Sequence, residues 1–146
     1  DTYFVPVNAT ASSTIVLFTN NFDRKISGLL GEIRSSGRVL GDIIKMASII
    51  ESEVKLKEDK EIVSGILWQR LKLNMPLQVD SDPDTYKYTG FPPKPISNPG
   101  LESIVAALHP VATSYLYFLT GDDGQTHYSR TFDEHVAKKL KYIKKR

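Results

Sequence analysis

At 146 residues the chain has the length of one domain. With 40% hydrophobic and 25% charged residues it carries enough apolar material for one core without a metal or disulfide staple. The absence of cysteine excludes a disulfide framework, a thiolate zinc site and a cysteine nucleophile. The formal charge is +2 but unevenly spread: the last nine residues, KKLKYIKKR, hold six basic side chains, and the remainder is net acidic. That run reads as a solvated helix end whose lysines suit the helix dipole. No basic stripe with interleaved aromatics accompanies it, so nucleic acid is not an expected partner. No apolar run approaches the roughly 20 residues of a membrane span, and no signal-peptide pattern is present.

In chain order, residues 1–21 read as irregular, with a short apolar run from Ile15 to Phe18 that periodicity cannot assign. Residues 22–36 form a weak helix candidate interrupted by Gly28 and Gly31. The segment from Asp42 to Val54 is the most apolar helix candidate, with Asp42 as its N-cap. A second helix is expected from Glu58 to Leu73, stopped by Asn74 and Pro76. Residues 76–99 form a long loop in which Pro92, Pro93, Pro95 and Pro99 forbid regular structure. A helix from Leu101 to Leu108 follows, with Asn98 as expected N-cap and Pro99 at the first helical position. Residues 114–120 and 125–130 read as strands joined by the turn GDDG. Thr131 and Glu134 form a capping box for a last helix, 132–143. The composite is α+β: a helix-rich single domain with a β-hairpin and a long proline-rich loop.

On a wheel of about 100° per residue, Glu51 falls at about 80°, within the apolar arc of the Asp42–Val54 helix, between Ala47 and Ile44. Glu53 falls on the margin of that arc. A carboxylate on a buried face is costly unless it is paired or neutral, and desolvation favours its protonated form. A neutral glutamic acid is what protonation of a glycosidic oxygen requires. The competing expectation is a buried salt bridge, with Arg70 on the next helix as a candidate partner.

ASIIESEV at 47–54, QRLKLNMPLQVD at 69–80, TGFPPKPISNPGLESIVAALHP at 89–110 and YLYFLTGDDGQTHYSRTFDEH at 115–135 resemble, in this order, the endolytic murein transglycosylases of the YceG-like (MltG) family. DTYF at 1–4 and NNFDRKI at 20–26 fit as well, so the resemblance covers nearly the whole chain. It implies a YceG-like catalytic domain over 1–146, without the family's membrane anchor and LysM-like portion. It implies cleavage of the MurNAc-β-1,4-GlcNAc bond of peptidoglycan, leaving 1,6-anhydro-MurNAc ends; no cofactor is expected, and three dispersed histidines without cysteine give no metal-ligand spacing. It implies peptidoglycan glycan strands as substrate, cell-wall synthesis proteins as further partners, and work on the extracytoplasmic face of the cytoplasmic membrane. The alternative within the same fold is a non-catalytic glycan-binding module.

The resemblance is taken to put the catalytic acid and base on the first Glu of ASIIESE, Glu51. Gln78 and Asp80 in MPLQVD resemble a segment lining the glycan cleft. Asn98 resembles the asparagine of an NPG motif, but its expected capping role already explains it. Tyr86 and Tyr88 are candidates to stack on sugar rings. His127 and Ser129 resemble an H-x-(F/Y)-S strand and share one strand face, from which either could orient Glu51 or hold an acetamido group. His135 reads as structural. The pattern also breaks: Ser81 follows Asp80 at once, where about twenty family residues are expected, a length typical of functional loops. Asp84 and Lys94 stand where the family has Asn and Gly.

Overall fold

The computed structural model describes residues 2–144. The α+β reading holds, with the chain dividing into two compact units, Asp1–Gly37 and Arg38–Arg146.

The first unit contains α1 (Ala11–Ser27) and α2 (Leu30–Ser35). Here the expected irregular start is corrected. Thr10 and Ser13 form a reciprocal cap, side chain to backbone in both directions, which opens a helix at Ala11, well ahead of the candidate start at residue 22. Within the unit, Tyr3 packs edge-on against Phe18 at 4.7 Å and accepts a hydrogen bond from Asn21.

The second unit is built on three helices, α3 (Leu40–Glu53), α4 (Lys57–Lys72) and α5 (Leu101–Leu108), packed on one another. Their core includes Ile43, Met46, Ile50, Val63, Ile66, Leu67 and Ala107, all essentially solvent-free. α3 begins at Leu40, two residues before the expected cap, and Asp42 pairs with Lys45 in its first turn. Ser48 and Ile49, which helical phase puts opposite the apolar arc, are fully buried. The proline-rich loop reaches Ser48: its Oγ accepts from the Ile96 N–H at 3.0 Å, and Ser97 Oγ donates to the Ser48 carbonyl at 2.8 Å.

Gly65 on α4 meets the chain leaving α5, whose Val111 N–H donates to the Glu61 carbonyl. A β-carbon at Gly65 would collide with the Val111 carbonyl oxygen, so only glycine permits this approach. Two short antiparallel strands follow, β1 (Tyr117–Thr120) and β2 (Thr126–Ser129), with Tyr117 opposite Ser129 and Leu119 opposite His127. Thr126 and Tyr128 both donate to the Asp59 carboxylate, which ties the hairpin to the first turn of α4. The last helix, α6 (Phe132–Tyr142), packs against both strands. Thr131 caps it by accepting from the Glu134 N–H, as expected, while Glu134 reaches back to the N–H of Arg130. The basic residues 145 and 146 lie outside the described residues. No described helix is long and apolar enough to cross a membrane.

Candidate active site

The candidate chemistry lies at the C-terminal end of α3, whose last turn carries two carboxylates, Glu51 and Glu53, and no basic residue. A helix C-terminus carries partial negative charge, so carboxylates there are disfavoured unless something offsets them. The two residues differ in what offsets them.

Glu51 faces the first turn of α5. Its Oε2 accepts from Ser103 Oγ at 2.5 Å, from the Gly100 N–H at 3.4 Å and from Lys60 Nζ at 3.4 Å. Lys60, only 6% exposed, also reaches Glu102 at 3.4 Å. The Ser103 hydrogen bond, partly opposed by burial and aided by the Lys60 charge, holds the Glu51 carboxyl below the usual carboxylate range. The expected neutral, apolar setting for Glu51 is therefore corrected. Its side chain is 36% exposed, because it sits at the very end of the helix rather than over the core. Its partner is Lys60 rather than Arg70.

Glu53 points the other way, into a cavity of about 410 Å³ bounded by α3, α4, the loop after α4, β1 and α6. The volume falls in the range of small-molecule sites. Glu51 is not among the residues lining it. Gln78, Asp80 and Tyr86 do line it, together with Arg70 and His135. Glu53 Oε1 accepts from the Ser81 N–H at 3.0 Å, which fastens the loop to the end of α3.

Local backbone geometry builds this wall. Gln78 has a left-handed backbone, φ 52°, an uncommon state for a residue with a side chain. It is held there from both sides: its N–H donates to the Thr85 carbonyl, and its side-chain oxygen accepts from Arg70 Nη2. Arg70 is buried, and it also donates from Nε to the Pro76 carbonyl at 2.9 Å and from Nη1 to the Leu116 carbonyl at 3.2 Å. Buried Thr85 closes the loop by bonding Val79 and Asp82. Tyr86 donates to Asp80 Oδ1 at 2.7 Å. Burial, then that carboxylate, push the Tyr86 phenol up to about 12, so it stays a hydrogen-bond donor at neutral pH.

The remaining expected residues lie elsewhere. Asn98 is exposed and does not cap α5; Gly100 occupies the N-cap and spends its N–H on Glu51. His127 stacks on Tyr142 at 3.6 Å and bonds Asp123, which engages its ring away from Glu51. Ser129 is fully buried beside Tyr117, its hydroxyl without a partner among the described residues. Tyr88 lines a separate, shallower depression with Pro92, Pro93 and Lys94. His135, read as structural, lines the Glu53 cavity with its Nδ1 unpartnered among the described residues. Burial, then the charge of Lys139, lower its pKa and keep the ring neutral. The sequence signal for Glu53 and His135 was present but weak: both lie inside motifs, beside residues that looked more apt. Among the described residues, no three carboxylate or imidazole side chains converge as metal ligands would.

The chain matches the family model described as "YceG-like family" over residues 1–83 and 81–141. The two stretches meet where the family pattern was expected to be interrupted. It is 38% identical over 123 residues to an endolytic murein transglycosylase of Bacillus subtilis, covering 69% of this chain and 34% of that protein. It is 24% identical over 162 residues to an endolytic murein transglycosylase of Streptococcus pneumoniae, covering 92% of this chain and 29% of that protein. A crystal structure of a YceG-like protein from Listeria monocytogenes superposes with a TM-score of 0.85 at 29% identity, covering 92% of this chain and 51% of that one. The chain thus spans about a third of the length of the curated relatives it matches.

Proposed function

Because the chain belongs to the YceG-like family, we propose that it performs the cleavage named for its relatives, endolytic murein transglycosylation, with Glu53 as acid and base. One observation carries the choice of residue. Glu53 is the carboxylate of the α3 end that lines the cavity, in company with Gln78, Asp80 and Tyr86. Glu51, the residue favoured by helical phase, has its carboxylate taken by Ser103, Gly100 and Lys60. A carboxyl held low by its donors is a poor proton source. Glu51 then serves to lock the α3 end onto α5, and thereby to aim Glu53.

In this reading Glu53 gives its proton to the oxygen joining C1 of MurNAc to C4 of GlcNAc, and the C1–O bond breaks. The C6 hydroxyl of the same MurNAc attacks C1, and the Glu53 carboxylate takes the hydroxyl proton. The products are a new GlcNAc end and a 1,6-anhydro-MurNAc end, no water is consumed, and Glu53 returns to its starting state. Glycosidases that use an enzyme nucleophile or an activated water need two carboxylates; a nucleophile carried by the substrate removes the need for the second. Asp80 and Tyr86, bonded to each other, and Gln78, fixed by Arg70, offer acceptors and donors for sugar hydroxyl and acetamido groups. Because peptidoglycan is the substrate, the work is done outside the cytoplasm.

The test compares Glu53→Gln with Glu51→Gln on purified sacculi, with mass spectrometry of the released fragments. Loss of a general acid–base group reduces rate by about 10²–10⁴-fold. That loss is expected for Glu53→Gln, while Glu51→Gln retains anhydro product within about tenfold, since its amide oxygen still accepts from Ser103. Full activity in Glu53→Gln overturns the assignment. Loss confined to Glu51→Gln returns the role to that residue.

A further inference from the structure

The α6 helix buries no residue, yet one of its faces is strongly patterned. Phe132, His135, Val136, Lys139 and Ile143 follow helical spacing and all line the cavity. An apolar face that would ordinarily meet a core is turned here toward open space: Phe132 is 61% exposed and Val136 38%. Lys138 donates to the Tyr128 carbonyl, whereas its neighbour Lys139 is exposed and has no carboxylate partner among the described residues. Arg70 adds positive charge that is not neutralised by an ion pair among the described residues, because its acceptors are the neutral oxygens of Pro76, Leu116 and Gln78. The same lining includes the carboxylates of Glu53 and Asp80. The cavity therefore carries both acidic and basic groups, with Lys139 supplying the cation of the α6 wall.

We propose that the α6 wall is a subsite that reads a carboxylate on the muramoyl residue, with Lys139 pairing the carboxylate and Phe132 packing on the sugar ring. This rests on the murein reading above. The chemistry fits that substrate: the ring whose C1 is attacked also carries a lactyl group on C3, which ends in a carboxylate or in a stem peptide bearing carboxylates. A polymer of N-acetylglucosamine alone has no such group and leaves Lys139 unmatched. An unpaired cation facing a ligand site discriminates in this way, because the wrong ligand leaves it without its partner.

The experiment measures binding to protein carrying Glu53→Gln, so that strands are not consumed. The ligands are peptide-free murein strands, peptide-bearing murein strands and chitin oligosaccharides of matched length. Lys139→Met is expected to weaken binding of a carboxylate-bearing strand by about tenfold, the scale of one hydrogen bond to a charged group. Chitin binding is expected to stay unchanged, and Lys139→Arg to restore the loss. Weakening on peptide-free strands assigns the lactyl carboxylate; weakening on peptide-bearing strands alone assigns the stem. Equal weakening on chitin, or none on any ligand, overturns the subsite. A chain that leaves sacculi uncut before any substitution at Glu53 or Lys139 overturns the murein reading instead.

Discussion

Replacing Arg70 by methionine removes a buried guanidinium while nearly preserving side-chain length. Arg70 is 3% exposed, and its three acceptors lie on two segments: Pro76 and Gln78 in the loop beyond α4, and Leu116 ahead of β1. A hydrogen bond from a charged donor contributes about 1.5–3 kcal/mol, so three amount to roughly 4.5–9 kcal/mol gross. Against this stands the cost of burying a cation with no carboxylate beside it, several kcal/mol that methionine does not incur. The balance is a loss of about 2–4 kcal/mol, at the upper end for a single substitution. For a chain of this size that corresponds to a fall in Tm of roughly 5–15 °C. Arg70→Lys is expected to lose nearly as much, because one ammonium cannot reproduce a planar fork aimed at three oxygens. Urea unfolding gives the free energy, and amide exchange over residues 76–86 reports whether that loop opens first. If Arg70→Met unfolds within about 0.5 kcal/mol of the parent, the change is that of an ordinary surface substitution, and the tie assigned to Arg70 is wrong.

Gly65→Ala puts a β-carbon into the Val111 carbonyl, which is backbone and cannot rotate away, so a destabilisation of about 2 kcal/mol or more is expected in thermal melts. Asp59→Asn removes the charge that receives the Thr126 and Tyr128 hydroxyls, and should cost about 1–3 kcal/mol with selective loss of amide protection in the hairpin. Glu51 has a depressed folded-state pKa, so its stabilising effect is present above the ordinary value of 4.5 and disappears as pH falls through the lower folded value. Ser103→Ala removes the largest cause of that depression. Its urea midpoint should fall furthest below the parent's at neutral pH, and the gap should narrow on acidification; a gap independent of pH contradicts the Ser103–Glu51 bond as described.

Periodicity and punctuation made most of the fold legible. The end of α5 follows from His109-Pro110 and that of α4 from Asn74, which takes a left-handed φ of 54° as the chain leaves the helix, whereas Pro99, expected at the first helical position of α5, lies just before its Gly100 cap. The start of α1 was illegible because its cap pairs two small hydroxyl residues, without the Glu or Gln that marks a capping box in sequence. The burial of Ser48 was illegible for a different reason. A helical wheel describes one helix against one core, and here the proline loop, some fifty residues downstream, supplies a second covering surface.

The choice between Glu51 and Glu53 shows where such reading stops. Helical phase has an angle but no measure of distance from the helix end. The angle assigned to Glu51 is right in one respect: it does face a neighbouring helix. What it meets there is the first turn of α5, with a free N–H and a serine hydroxyl, plus a buried lysine from α4. Those groups favour the carboxylate and hold it in place. Glu53, on the margin of the same wheel, meets the loop after α4 only because Arg70 and Thr85 fold that loop back against α3. Both interactions are long-range, and both depend on backbone N–H groups that carry no mark in a sequence. The Oε2 of Glu51 is taken by three donors, whereas Glu53, bonded through Oε1 to the Ser81 N–H, lines a cavity with Tyr86, Gln78 and Asp80. That contrast supports the proposal of Glu53 as acid and base and of Glu51 as anchor, two residues apart on one helical turn.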